Sequence, residues 1–398
     1  MLDFKDALKS VLKNTKRLSS KKILLDNSLG TVLSENIYSQ VEMPPFNKSA
    51  MDGYALRTDD AKRTPVLLKC VGSIQAGDTP RRRVGRGECV KIMTGAALPG
   101  EADGVIMIED TFKIGDFVEL RRSIKRWENI CFKGEDIRRG EMALSKGREL
   151  AISDISLLAA IGRRSFKVIR KPKVEILNTG GEIVSLGCPL KKGSIYNSNG
   201  PQLMALLKED GIDAHFSGIV KDKHASLKKA ISKGLKCDML LISGGVSMGD
   251  YDLVPDALTR LGVRKIFHKV RIKPGKPLFF GRRSDTIVFG IPGNPLANFL
   301  IYQLFIRPAI HKMMGRRARA PFMREGILTE RFCHKTGRLH FVPAKVSERG
   351  GRYHVTPVKS HGSADIVALS LADAFMVAGE NAKSLRRQAK IRFISWKE

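Results

Sequence analysis

The chain has 398 residues, too many for one hydrophobic core, and its 42% apolar and 28% charged content excludes wholesale disorder. Its 70 basic residues against 40 acidic ones give a formal net charge of +30, so anions are its expected partners, either nucleic acid or an oxyanionic or phosphorylated small molecule. The basic residues fall in short scattered runs such as "RRRVGRG" and "MMGRRARA", aromatics are 7%, and no zinc-finger, basic-zipper or RNP-like stretch occurs, which argues against specific nucleic-acid binding.

From the N-terminus, apolar residues at Phe4, Ala7, Leu8, Val11 and Leu12 predict an amphipathic helix within 3–18, charged and unlike a signal peptide. "PPFNKSAMDGYAL" (44–56) then reads as a loop entering a strand. Short β-type runs ("PVLLKCVGSI", "ECVKIMTGA", "GVIMIED", "FVELRRSI") divided by glycine turns predict a small β-rich module over 57–135. "SDISLLAAIG" returns to helix, with Ser153 as N-cap and Gly162 as its stop. From 172 to 315 apolar β runs alternate with helical segments near 201–209, 225–235, 253–261 and 296–314, the pattern of a mostly parallel α/β sheet. β patterning resumes in "LHFVPAKV", "YHVTPV", "AFMVAG" and "KIRFISW", predicting a C-terminal β-barrel or sandwich.

Cys70, Cys89, Cys131, Cys188, Cys237 and Cys333 stand singly, without the close spacing of a disulfide framework or a structural zinc site. Reduced thiols in a cytoplasm are expected. No run approaches the ~20 apolar residues of a membrane span; "FLIYQLFI" is short and followed by Arg307.

Three strands of the α/β section end in glycine- or proline-rich loops leading to helices: "EILNTGGE", "LLISGGVSMGDYD" and "FGIPGNP". In open α/β sheets ligands bind beyond the carboxyl ends of the strands, and glycine N–H groups and helix N-termini suit phosphates there. "GVSMG" also fits a G-x-S-x-G nucleophile elbow around Ser247, with Asp256 and His268 as the candidate partners. Nothing supplies the oxyanion-loop signature that hydrolysis would need. "RIKPGKPLFFG" sets Lys273 and Lys276 around a rigid Pro-Gly turn, as a surface turn or as fixed cations for an oxyanion. Asp52, Asp136, Glu182, Asp222, Asp250 and Asp252 lie in loops; each alone suits a turn or cap, and together beside phosphate-cradling loops they suggest Mg²⁺. The eight histidines show no HExxH-type spacing.

"PPFNKSAMDGYAL", "VKIMTGAALPGEADGVIMIED", "NTGGEI", "LLISGGVSMGDYDLV", "IKPGKPLFFG", "GIPGNPLANF" and "GSADI" follow one another in an order that resembles the molybdopterin molybdenumtransferases, the MoeA type also present as the E domain of gephyrin. The likeness runs from about residue 4 to the C-terminus. It implies insertion of molybdate or tungstate into adenylylated molybdopterin, with a divalent cation, Mg²⁺, and release of AMP. It also implies a cytoplasmic homodimer working beside a molybdopterin adenylyltransferase and the molybdoenzymes. The implied domains are a discontinuous dimerisation domain (1–56 and 136–171), an inserted β-rich module (57–135), a molybdopterin-binding α/β domain (172–315) and a C-terminal β-barrel (320–398).

Carried over position by position, the resemblance implies catalytic roles for Asp52, Thr94, Asp136, Glu182, Asp222 and Asp252, with Glu182, Asp222 and Asp252 also holding the metal. Substrate binding falls to Gly180, Gly244, Gly245, Ser247, Gly249, Asp250, Lys273, Lys276, Pro277, Pro292, Gly293, Asn294, Pro295, Arg338 and Ser363. Where the family commonly has an acid before the glutamate, this chain has Gly181. Two rival readings are a molybdopterin-binding scaffold with degraded activity and a molybdopterin adenylyltransferase. The second should lack both the "SAMDGYA" portion and the C-terminal β section.

Overall fold

The N-terminal apolar spacing forms helix α1 (Phe4–Asn14) in a computed structural model that describes residues 1–246, 253–317, 322–335 and 337–396. Contacts divide the chain into one unit of 22–29 and 33–168, and a second of 1–21, 30–32 and 169–398. Among the described residues no helix is long and apolar enough to cross a membrane, and all six cysteines are free.

The first unit is built on a six-stranded sheet. Its strands are β1 (Gly53–Leu56), β2 (Val66–Ile74), β3 (Glu88–Ile92), β4 (Gly104–Met107), β5 (Thr111–Ile114) and β6 (Phe117–Leu120). They pair in the order β4-β1-β3-β2-β6-β5, antiparallel except for β2 beside β3. Side chains alternate across a strand, so Tyr54 and Leu56 join a core with Leu68 and Val118, while Ala55 joins a second with Val90 and Val105. Helix α2 (Ile152–Ala160) begins earlier than expected, so Ser153 lies in its first turn and does not cap it. Asp154 supplies the cap: its carboxylate accepts the Ala151 N–H at 3.0 Å and pairs with Arg148 at 2.8 Å. Gly162 follows the helix with φ +73°, the left-handed stop its position suggested.

The second unit contains the α/β section and the C-terminal domain. Strands β7 (Val174–Thr179), β8 (His215–Val220), β9 (Met239–Ser243), β10 (Arg264–His268), β12 (Phe279–Arg283) and β13 (Thr286–Ile291) form one sheet in the order β8-β7-β9-β13-β12-β10. The first four strands in that order are parallel, β12 is antiparallel to β13, and β10 is antiparallel to β12. Helices α3 (Asn199–Glu209), α4 (His224–Gly234), α5 (Val254–Arg260) and α6 (Pro295–Ile301) link or follow them. The apolar run after α6 is interrupted by a π-helical turn, Tyr302–Ile306, before α7 (Arg307–Met313). Buried Tyr302 donates its hydroxyl to Asp210 at 2.6 Å, and Arg307 reaches the same carboxylate at 3.0 Å. Tyr302→Phe would leave part of this buried carboxylate unpaired, and a loss of about 1–2 kcal/mol is expected in urea unfolding.

β11 (Ile272–Lys273) leaves the sheet and pairs with the next domain. There β14 (Arg324–Leu328), β15 (Leu339–Arg349), β16 (Arg352–Pro357), β17 (Ala374–Ala378) and β18 (Lys390–Ser395) run β15-β16-β14-β18-β17. β17 pairs again with β15, which closes a five-stranded barrel around Leu328, Val342, Val355, Met376 and Phe393. The fold is thus multidomain, α/β plus β.

Candidate functional site

The three glycine-rich loops meet because their strands are neighbours. β7, β9 and β13 are parallel and adjacent, so Thr179, Ser243 and Ile291 end on the same edge of the sheet. The Gly244 N–H donates to the Ile291 carbonyl at 3.0 Å. Gly244 has φ +97°, and a Cβ there would collide with the Thr179 carbonyl. Only glycine lets "ISGGV" lie this close to "NTGGE". The third loop is joined by Asn199, whose Nδ2 lies 2.9 Å from Ser243 Oγ and 2.7 Å from the Gly293 carbonyl. Asn199 was not among the candidates, although the polar "NSNGP" at the start of α3 was its signal.

Asp222, just past β8, is part of the same edge. Its carboxylate accepts the Thr179 hydroxyl and, at 3.1 Å, the Gly181 N–H. Glu182 is exposed on the same loop as Gly180 and Gly181. Carboxylate oxygens are hard ligands that suit Mg²⁺, and each Asp222 oxygen keeps accepting capacity beside its one hydrogen bond. Among the described residues no three acids, histidines or cysteines gather at a metal-ligand spacing. Asp252, the third expected ligand, lies outside the described residues, as do Ser247, Gly249 and Asp250.

The nucleophile-elbow reading loses its partners. His268 Nε2 lies 2.9 Å from the Val246 carbonyl, an acceptor, so that nitrogen carries the proton and is not a free base. Asp256 pairs with Arg260 at 2.8 Å, one turn along α5.

The sheet edge continues into a cavity of about 610 Å³ against the barrel. Lys273, Lys276, Pro277, Pro292, Asn294, Arg338 and Ser363 all line it. Asn294 Nδ2 donates to Ser363 Oγ at 2.7 Å, tying the "PGNP" loop to the "GSAD" loop. Lys273 is placed by the β11–β15 pairing, which aligns it with His340. The turn after it needs glycine: Gly275 has φ +103°, and a Cβ would press on Ile272 and Ile301 at 3.2 and 3.3 Å. Among the described residues Lys359 adds a fourth cation to Lys273, Lys276 and Arg338, against one carboxylate, Glu330. Such a lining favours a small dianion. Sequence reasoning missed Lys359, Glu330 and His340, which join the cavity only through barrel closure. Gly293 belongs to the same loop and Pro295 opens α6 after it, and Gly180, Gly244 and Gly245 belong to the strand ends; none of these lines the cavity.

The remaining candidates lie in the first unit. Asp52 Oδ1 accepts both the Thr94 N–H at 2.6 Å and the Thr94 hydroxyl at 2.8 Å, and these bonds hold its carboxyl below the usual range. Asp136 is not beside them. Residues 43–49 and 130–137 run antiparallel, with Ser49 opposite Ile130 and Met43 opposite Ile137, so Asp52 and Asp136 fall at opposite ends of that pairing.

Comparison with known proteins covers nearly the whole chain. Residues 2–162 match the profile described as "MoeA N-terminal region (domain I and II)", 175–312 "Probable molybdopterin binding domain" and 325–396 "MoeA C-terminal region (domain IV)". A Staphylococcus epidermidis protein named molybdopterin molybdenumtransferase is 32% identical over 384 residues, 94% of this chain and 91% of the relative. Its Bacillus subtilis counterpart is also 32% identical, over 94% of this chain and 89% of the relative. The crystal structure of a molybdopterin biosynthesis MoeA protein from Pyrococcus horikosii superposes with a TM-score of 0.85 at 31% identity, covering 100% of both chains.

Proposed function

Because the chain belongs to the MoeA family of molybdopterin molybdenumtransferases, we propose that it inserts molybdate or tungstate into adenylylated molybdopterin and releases AMP with the help of Mg²⁺. It is a transferase of molybdenum cofactor biosynthesis. The observation that carries the finer reading is the cavity, where Lys273, Lys276 and Arg338 converge beside the phosphate-type loops of the sheet.

Lys273, Lys276 and Arg338 bind the tetrahedral dianion electrostatically, and Asn294 and Ser363 fix its orientation by hydrogen bonding. The loops of Gly180, Gly244 and Gly245, whose missing side chains open the strand ends, bind the phosphates of the adenylylated pterin. Asp222, Glu182 and Asp252 would hold Mg²⁺, which supplies charge neutralisation at the phosphoanhydride. A molybdate oxygen or water attacks phosphorus as the anhydride P–O bond breaks, so no side chain needs to act as nucleophile. Asp52, held by Thr94, and Asp136 serve the same reaction.

The division into dimerisation segments (1–56 and 136–171), inserted module (57–135), pterin-binding domain (172–315) and barrel (320–398) belongs to this proposal. So do the cytoplasmic homodimer and the hand-over from an adenylyltransferase to molybdoenzymes.

The test is to incubate the purified protein with adenylylated molybdopterin, Mg²⁺ and either molybdate or tungstate, and to measure AMP by chromatography. Oxyanion-dependent AMP release is expected. Its absence, with substrate binding retained, would leave a scaffold in place of the enzyme.

A further inference from the structure

His340 was not a candidate from the sequence, and its setting is unusual for a histidine in an anion-binding cavity. It lines the cavity and stands in register with Lys273 across the β11–β15 pairing. Its ring packs against His334 (centroids 5.5 Å apart) and Phe332 (6.0 Å). Nδ1 of His340 and both ring nitrogens of His334 are buried without a hydrogen-bond partner among the described residues. An imidazolium here would bury an N–H without an acceptor, next to cations.

Resting on the oxyanion reading above, we propose that His340 selects for dianions, taking up a proton when a doubly charged oxyanion enters the cavity and then contributing its own positive charge to holding it.

The charges around the ring set the direction. Lys273 faces the cavity from β11, Lys276 from the turn after it, Arg338 from just before β15, and Lys359 from the segment after β16; among the described residues Glu330 is the one acid in the lining. On the β17 side His340 is opposite apolar Ala378, and the nearby Glu380 is paired with Arg271 at 3.6 Å. Burial, Lys273, His334 and Arg338 push the His340 pKa down to about 3, so its imidazole is neutral near pH 7. A raised cost of protonation is offset when negative charge arrives. An opposite charge within a few ångströms raises a histidine pKa by roughly 1–3 units, so a dianion can bring it into the range near pH 6 and a monoanion much less readily. Linkage requires the reverse as well: lowering the pH must then tighten dianion binding. Ordinary lysine and arginine are already protonated near pH 6 and can take up nothing.

The test is calorimetry of sodium molybdate binding to the full-length protein at pH 6.0 and 7.5, each in two non-oxyanion buffers of different ionisation enthalpy. Sodium perchlorate serves as the monoanion control. Uptake on the order of half a proton per molybdate is expected at pH 6.0, with affinity rising about twofold from pH 7.5, and no uptake with perchlorate. H340Q, which cannot titrate, should bind molybdate with no buffer dependence and a flat pH profile. Molybdate binding by the wild type without proton uptake would overturn the inference while leaving the oxyanion site intact. Uptake retained in H340Q would overturn it too, by assigning the proton elsewhere, with His334 the neighbouring imidazole. No molybdate binding at all would overturn both readings. If H340Q does not fold, absence of uptake in the wild type still overturns the inference, and H334Q takes over the assignment: it should keep the uptake, and its loss there would overturn the inference.

Discussion

Asp222→Asn is expected to slow AMP release about a hundredfold and to raise the Mg²⁺ concentration needed for half-maximal rate. The side chain keeps its size, but its amide now turns an N–H₂ toward one of two donors, the Thr179 hydroxyl or the Gly181 N–H. The anionic oxygens proposed to hold Mg²⁺ are lost in the same change. Asp222 is partly exposed at the end of β8, so the global unfolding midpoint should move little. Rates within about threefold of wild type at saturating Mg²⁺ would remove Asp222 from the proposed metal site.

Gly244→Ala should have the larger effect on stability, a loss of about 3 kcal/mol or more in urea unfolding. Two costs combine: a left-handed φ of +97° and a Cβ driven into the Thr179 carbonyl. Thr179 cannot retreat, because β7 is held between β8 and β9. Gly72→Ala is the matched control. It sits in β2 with no heavy atom within 4 Å of its added Cβ and no positive φ, so a change within about 0.5 kcal/mol is expected. Equal losses in both variants would show that backbone geometry at Gly244 is not the cause.

Much of this was legible in the sequence because it is local. The alternation of "KVEIL", "DMLLIS" and "TIVFGI" with helical segments marks buried parallel strands, and glycines after a strand mark its carboxyl end. Lys273 and Lys276 could be singled out because a Pro-Gly turn is a local signal. What escaped depends on partners far along the chain. β12 ends in charged "GRR" and β10 starts with "RK", which hides their place in the sheet: β12 runs antiparallel to β13, and β10 antiparallel to β12. His340, Glu330 and Lys359 reach the cavity through barrel closure, which no short window can display. The cap of α2 was misassigned because serine is the commoner N-cap, whereas here an aspartate three residues on reaches back to an alanine N–H. Ser247 and Asp252 fall outside the described residues, so their proposed roles rest on the family resemblance.

The pairing of β11 with β15 involves only two residue pairs, Ile272 with Leu339 and Lys273 with His340. That short splice fixes one wall of the cavity to the barrel while the other wall belongs to the sheet. Lys273 is thereby tied to a strand of the barrel as well as to the segment that carries the "PGNP" loop. A chain ending after α7 would retain every strand of the α/β sheet and both lysines. It would nevertheless lack the barrel strand against which Lys273 is registered.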